Sequence, residues 1–285
     1  MGFETEITNF IKDLNEAYQL KLDLNEYGRF NSDVFISNIS TGIKFHHLKD
    51  TELERVKSVE KHINPKISNI KNIHIWEDQW NHQKEKVKSK LRSLFGVTDR
   101  IHGRETKILN LNNSQLLEFL QDNHLNVPIK GKYKFGLTYD DELVAVMSFS
   151  KGRGIIRDNE FYNSYELLRF CNKLNHTVVG GFSKLLRYFI NMRKPDDIMT
   201  YIDADWSSGK ALISTGFELV DFKEPMEFWI NTHSGKREYP DIVLQNHNQA
   251  IELKSNKNEL DQFLFKNNYI KVYNTGSYKL ILKLK

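Results

Sequence analysis

Cysteine and long apolar runs are almost absent from this sequence of 285 residues. The one cysteine, Cys171, excludes an internal disulfide and a zinc site made of cysteines, and it predicts a reducing compartment. No apolar run approaches the roughly 20 residues that span a bilayer, and the N-terminal MGFETEITNF is acidic and amphipathic, unlike a signal peptide. We therefore expect a soluble cytoplasmic protein that does not associate with membranes.

The net charge is small, but the positive charge is concentrated in three segments. Lys and Arg total 41 against 37 Asp and Glu, which gives a formal charge of +4. Basic residues cluster at 84–92 (KEKVKSKLR), 151–157 (KGRGIIR) and 184–194 (KLLRYFINMRK). Such clusters suit a phosphate backbone, which predicts DNA as a partner. A solvated helix face is the alternative for each cluster.

The first hundred residues predict an α/β core. Apolar spacing predicts a helix over 7–18, short strands over 20–24, 33–37 and 42–46, a charged helix over 51–62, a strand over 72–76 and a basic helix over 81–95. This order is also that of restriction-endonuclease-like nucleases. Asp33 begins the second strand and Lys44 lies within the third, but Gly42 stands where such a centre has a Glu.

From about residue 106 the pattern changes to that of a second domain. A helix capped by Asn113 or Ser114, a hairpin turned at 140–141, a strand over 165–171, a Gly-Gly turn opening a helix, and a strand over 198–203 follow one another. Elements in this order make up the core of acyl-CoA-dependent transferases.

The glycine turn of this domain is a candidate cofactor site. Backbone N–H groups at a helix N-terminus can hold a pyrophosphate, because the helix dipole and the unpaired donors both face the anion. Gly180 and Gly181 would let the backbone approach closely, and Ser183 and Lys184 would add donors. An ordinary turn before a helix is the alternative.

A segment near the C-terminus has the composition of a metal-dependent nuclease centre. Pro240-Asp241 precedes Glu252-Leu253-Lys254, so that an Asp and a Glu could share a divalent ion while the Lys polarises water. A nuclease core needs a helix and a first strand before the motif, but the strand MEFWI ends only about ten residues before Pro240. We therefore predict a plain hairpin, 241–244 with 249–254, turned at 246–248.

Five segments, in order, carry a resemblance to a known family: GLTYDDELVAVMSF, YELLRFCNKLN, VVGGFSKLLRYFI, YIDADWSSG and YIKVYNTGSYKL. The sequence resembles phage-encoded proteins described as homing-endonuclease-like. In these, a domain similar to very-short-patch-repair endonucleases precedes a GNAT-like domain. The resemblance spans nearly the whole chain and is specific in the middle and loose before residue 70.

For the nuclease domain, the resemblance implies that Glu4 and Asp33 hold Mg²⁺ while water attacks a phosphodiester. The family's next carboxylate, the Glu of GIEF, is Lys44 in this sequence, and its Trp-His-Ser is Leu-Lys-Asp. A Lys in place of a carboxylate repels the ion. His46 or His47 would then act as the general base, a structural His pair being the alternative.

The second domain also resembles Mom, a phage protein family that modifies adenine in DNA. Arg169 and Asp203 would lie near the ends of adjacent strands, where a guanidinium can hold an anion and a carboxylate can accept a proton from an exocyclic amine. A structural pair of Arg169 with Asp203 or Glu166 is the alternative. The polar residues that recur across this resemblance fall on His124, Arg169, Ser183 and Asp203.

Two departures from the family pattern affect the transferase hypothesis. Where the family has RRWSNGNLYEKLGF, this sequence has DADWSSGKALISTGF, so an Arg becomes Ala204 and a Tyr becomes Leu212. In acyltransferases of this fold that Tyr often protonates the leaving thiolate.

The sequence thus predicts an α/β protein with three consecutive parts. These are a degenerate restriction-endonuclease-like domain over 1–105, a GNAT-like mixed-sheet domain over 106–230 and a small extension over 231–285. The first hypothesis is a phage or mobile-element endonuclease that uses Mg²⁺. The second is a Mom-like DNA adenine modifier with an acyl-CoA-type cofactor, which must flip the base from the stack. The third is a DNA-binding remnant without activity.

Overall fold

The computed structural model describes residues 2–25, 32–48, 71–157, 159–247, 253 and 256–285. Its helices are α1 (Phe3–Ala17), α2 (Glu77–Leu94), α3 (Asn113–Asn123), α4 (Gly181–Arg193), α5 (Lys210–Ile213), α6 (Pro240–Asn246) and α7 (Lys257–Lys266). The helix expected at 51–62 lies outside the described residues. No helix in the described part of the chain is long and apolar enough to cross a membrane.

The described residues also form seventeen strands and two short 3-10 helices, Ser37–Ile39 and Gly103–Glu105. The strands are β1 (Leu24–Asn25), β2 (Val34–Ile36), β3 (Thr41–His46), β4 (Lys71–Trp76), β5 (Asp99–His102), β6 (Lys107–Asn110), β7 (Tyr133–Tyr139), β8 (Glu142–Phe149), β9 (Arg153–Arg157), β10 (Glu160–Asn172), β11 (His176–Val179), β12 (Asp197–Asp203), β13 (Glu218–Lys223), β14 (Glu227–Asn231), β15 (Arg237–Glu238), β16 (Tyr269–Tyr273) and β17 (Ser277–Lys283).

The chain divides into two compact units, and neither is continuous in sequence. The first unit comprises Met1–Lys84, Asp203–Ser208 and Lys223–Ser277, and the second comprises Glu85–Ile202, Gly209–Phe222 and Tyr278–Lys285. Both combine helices with strands, so the predicted mixed α/β class is confirmed. The three consecutive parts over 1–105, 106–230 and 231–285 stay a prediction from the sequence pattern.

The first unit contains a four-stranded sheet in the order β1-β2-β3-β4. Strand β3 pairs antiparallel with β2 and parallel with β4. Helix α1 buries Ile7, Ile11 and Leu14, which recur at the spacing of one helix face. The strand predicted over 20–24 is reduced to Leu24–Asn25, because Gln19 and Lys21 adopt positive φ angles of 50° and 55°, which are not extended.

A second, three-stranded sheet of the first unit has the order β15-β14-β16. Trp229, Val243, Leu264 and Tyr269 form its buried core. The hairpin strand predicted at 241–244 is wrong, because this stretch is helix α6 with Pro240 in its first turn. A proline fits the first turn of a helix, since the N–H that it lacks has no acceptor there. Its proposed partner strand falls largely outside the described residues.

The second unit is built on an eight-stranded sheet whose main path is β13-β17-β12-β10-β8-β7-β6, with β9 paired to β10. Helix α4 packs its Leu185, Leu186 and Phe189 into the larger core. Helix α3 belongs to a separate cluster with Val146 and Cys171. The predicted hairpin of β7 and β8 is confirmed.

Candidate functional site

The first unit has an open cleft of about 410 Å³ between helix α1 and the start of strand β2. Glu4 and Asp33, the two residues that the resemblance assigns to a metal ion, both line it. The lining also includes Thr5, Thr8, Asn9, Lys12, Val34 and Phe45. The structure therefore brings the two predicted carboxylates to one cleft.

The Asp33 carboxylate is already occupied by protein donors. Its Oδ1 accepts a hydrogen bond from Lys44 Nζ at 2.9 Å, and its Oδ2 accepts one from the Phe45 N–H at 2.7 Å. A divalent ion at this carboxylate would have to displace the Lys44 ammonium. Among the described residues, no group of three or more His, Cys, Asp or Glu side chains is arranged to hold a metal. These residues do not fit Mg²⁺, and the structure gives the nuclease hypothesis no support.

The two candidate general bases, His46 and His47, occupy different environments. His47 is about one-third exposed, and its Nε2 lies 2.7 Å from Glu4 Oε1 and its Nδ1 3.7 Å from Glu77 Oε2. His46 stacks on Trp76 with ring centroids 4.2 Å apart, and its Nε2 lies 2.9 Å from the Nδ1 of His74. Burial, and then the charge of Lys44, lower the pKa of His46 to about 3. Of the two, His47 is the more exposed, and it is the one whose ring nitrogens face carboxylates.

In the second unit, the glycine turn opens helix α4 as predicted. Gly180 is the N-cap and is left-handed, with φ at 77°, a conformation that favours glycine. A Cβ at Gly180 would meet no heavy atom within 4 Å, whereas one at Gly181 would lie 2.8 Å from the Val178 side chain. The turn is therefore open on the side of Gly180, and the first N–H groups of the helix lack intrahelical acceptors.

Lys184, predicted as a cofactor ligand, donates hydrogen bonds to acceptors of the protein. Its Nζ donates to the carbonyl oxygen of Gly103 at 2.8 Å, to Thr106 Oγ1 at 3.2 Å and to the Thr106 carbonyl oxygen. A Cβ at Gly103 would lie 2.9 Å from the carbonyl oxygen of Val179 and 3.2 Å from the backbone N of Gly181. Lys184 thus ties the turn at Gly103 against the backbone that leads into α4.

His124 and Arg169 meet at the loop that follows helix α3. Arg169 donates to the carbonyl oxygens of Leu168 at 2.8 Å and Val127 at 3.1 Å. His124 Nδ1 accepts the Asn126 N–H at 3.0 Å, so its Nε2 carries the proton in the neutral ring. Burial, and then the charge of Arg169, lower the pKa of His124 well below its usual value. His124 is therefore a neutral donor at pH 7.

The other two predicted transferase residues lie elsewhere. Ser183 is exposed on the first turn of α4. Asp203 belongs to the first unit, where its Oδ1 accepts the Asp205 N–H at 3.1 Å in a tight turn. The roles assigned to both residues stay predictions.

The parallel strands of the second unit separate towards their carboxyl ends. Parallel pairs join β10 to β12 from Ser164–Asp197 to Leu167–Thr200. A register shift follows between Leu167 and Arg169, after which β10 continues along β8. Within residues 159–247, which are described throughout, the β10–β12 pairing ends at Leu167 and Thr200. Beyond Leu167 and Thr200, β10 and β12 are therefore not hydrogen-bonded to each other as strands.

Sequence reasoning missed the buried carboxylate of Asp205 in the first unit. It accepts hydrogen bonds from Trp76 Nε1 at 2.9 Å and from the Thr275 N–H and hydroxyl at 2.8 and 2.6 Å. Burial, and then the neighbouring Asp203, raise the pKa of Asp205 well above its usual range. No sequence signal marks this residue, because DADW resembles an exposed turn and its partners are distant in the chain.

Comparisons with known proteins give structural matches only. No protein-family model and no curated protein matches the chain. Solved structures that match include the ribosomal-protein-S18-alanine N-acetyltransferase of Escherichia coli (14% identity, 63% of this chain, 94% of that one, TM-score 0.37). Others are an IAA acetyltransferase of Bacillus cereus (11%, 63%, 99%, 0.35) and a GNAT family acetyltransferase of Elizabethkingia anophelis with acetyl-CoA bound (13%, 63%, 99%, 0.33). Similarity at this level assigns no activity to the chain.

Proposed function

We propose that this chain is an acyl-CoA-dependent acyltransferase whose transfer site lies in the second unit. The observation that carries the proposal is the separation of β10 from β12 beyond Leu167 and Thr200, in a unit where an open glycine turn begins helix α4. The hairpin, strand, glycine turn, helix and strand follow in the order that the resemblance implies for a GNAT-like domain.

The residues of the glycine turn fit an acyl-CoA. The backbone N–H groups of Gly181, Phe182 and Ser183 would hold its pyrophosphate, since they lie at the positive end of the α4 dipole. The cofactor supplies an activated acyl thioester. In the transfer, the bond between the acyl carbon and the CoA sulfur breaks, and the acyl carbon bonds to an acceptor nitrogen. The nitrogen loses a proton, and the CoA thiolate takes up a proton.

The acceptor that we propose is an exocyclic amine of adenine in DNA. The resemblance to Mom and the basic segments of the sequence support this choice. His124 would act as a hydrogen-bond donor near Arg169, because its Nδ1 already accepts the Asn126 N–H.

We expect acetyl-CoA to bind the purified chain in calorimetry and Gly180→Ala to weaken that binding about tenfold, equivalent to about 1.4 kcal/mol. The added methyl group would project into the open side of the turn, and the left-handed φ would be strained. Gly96→Ala is the matched control, because Gly96 also has a positive φ, 75°, and open space around its Cβ position. Absence of binding by the unmodified chain, or equal losses in the two variants, would contradict the cofactor site.

The acceptor requires a separate test. With acetyl-CoA labelled in the acetyl group and plasmid DNA as acceptor, we expect label on adenine nucleosides after enzymatic digestion of the DNA. Gly180→Ala should reduce the labelling and Gly96→Ala should not. Bound acetyl-CoA with no label in DNA would refute the DNA acceptor while leaving the cofactor site in place.

A further inference from the structure

Asp33, which lines the cleft of the first unit, is paired with a cation that is part of the chain. Lys44 Nζ lies 2.9 Å from Asp33 Oδ1, and the two side chains are only 27% and 36% exposed. Lys44 is held in the central part of β3, between β2 and β4, opposite His74 of the parallel neighbour. The strand position places the Lys44 side chain on the side of Asp33, and the ion pair holds the ammonium there.

The donor set at Asp33 is that of an ion pair and not of a metal site. A hard divalent ion needs several oxygen ligands, and carboxylates usually supply the charge. Asp33 Oδ2 accepts the Phe45 N–H, while Glu4 Oε1 lies 2.7 Å from His47 Nε2. A divalent ion near Asp33 would also lie a few ångströms from the Lys44 ammonium, where two like charges repel strongly.

We propose that the Lys44 ammonium is the resident cation of the Asp33 carboxylate and that Lys44 is the residue that excludes divalent ions from it. The Asp33–Lys44 pair thereby makes this carboxylate metal-independent. This proposal does not rest on the acyltransferase function, because all of its residues belong to the first unit.

The test is Mn²⁺ binding, measured by calorimetry and by the thermal midpoint of the full chain. We expect Lys44→Glu to bind one Mn²⁺ about tenfold or more tightly than the unmodified chain, because it replaces the repelling ammonium with a second carboxylate beside Asp33. The same variant should have a lower Tm without the ion, owing to the two adjacent carboxylates, and Mn²⁺ should restore it. Lys107→Glu, at an exposed position of β6, makes the same change in net charge away from the cleft.

Two outcomes would overturn the proposal. One is Mn²⁺ binding by the unmodified chain that Asp33→Asn abolishes. The other is Lys44→Glu binding Mn²⁺ no more tightly than Lys107→Glu. If Lys44→Glu does not fold, Mn²⁺ binding is measured on Lys44→Gln, in which removal of the ammonium alone must still raise the Mn²⁺ affinity. An unchanged affinity in Lys44→Gln would refute the role of Lys44.

Discussion

Arg237→Met should lower the free energy of unfolding of the first unit by about 3–5 kcal/mol. The Arg237 guanidinium donates to both carboxylate oxygens of Asp78, at 2.9 and 2.7 Å. The two side chains are 9% and 2% exposed. The guanidinium also lies over the rings of Trp76 and Phe228, at 5.5 and 5.4 Å. Removing it leaves a buried carboxylate without its cation, and this accounts for most of the expected loss.

Urea unfolding measures this loss, and two further variants identify its cause. Arg237→Met combined with Asp78→Leu should recover most of the stability, since replacing a buried pair by apolar residues is often neutral. Lys283→Met removes a cation from the exposed pair with Glu218, whose side chains are 61% and 58% exposed, and should cost no more than about 1 kcal/mol. If the double variant is as unstable as Arg237→Met alone, lost ring contacts and not the unpaired charge explain the effect.

Elements with a strong local pattern could be predicted from the sequence. The hairpin of β7 and β8 turns at Asp140 and Asp141, both with positive φ, as the Asp-Asp between two alternating strands indicates. Helix α4 begins at the predicted glycine turn. The α6 error arose because a short apolar run, DIVL, fits a strand or a helix equally, and its buried face was decided by packing against β14.

The polar contacts could not be predicted, because they join residues far apart in the chain. Arg237 reaches Asp78 across 159 positions, and Trp76 reaches Asp205 across 129. Lys184 resembled a phosphate ligand by its place after Gly-Gly, but its partners, Gly103 and Thr106, lie about eighty residues earlier. Residue type and spacing identify which side chains can do chemistry. Tertiary structure decides which of them are already engaged with the protein.

Phe189→Ala should cost the second unit about 3–5 kcal/mol, the range for a fully buried aromatic residue. Phe189 is 0% exposed and stacks on Phe149 with centroids 3.6 Å apart. Tyr165 and Tyr133 meet its ring edge-on, at 5.2 and 5.7 Å. Because these partners come from strands β7, β8 and β10, the cavity left by the substitution cannot close by moving one side chain.

The same substitution tests whether helix packing positions the glycine turn. Phe189 lies on the buried face of α4, the helix that Gly180 opens. Under conditions where the variant is folded, we expect Phe189→Ala to weaken acetyl-CoA binding. Phe189→Leu keeps most of the side-chain volume and should lower the free energy of unfolding by less than about 1.5 kcal/mol. Phe161→Ala, at a position 64% exposed, should leave stability within about 0.5 kcal/mol of the unmodified chain. An unchanged acetyl-CoA affinity in folded Phe189→Ala would mean that β11 and the Gly103 turn hold the backbone of the glycine turn in place without the core of α4.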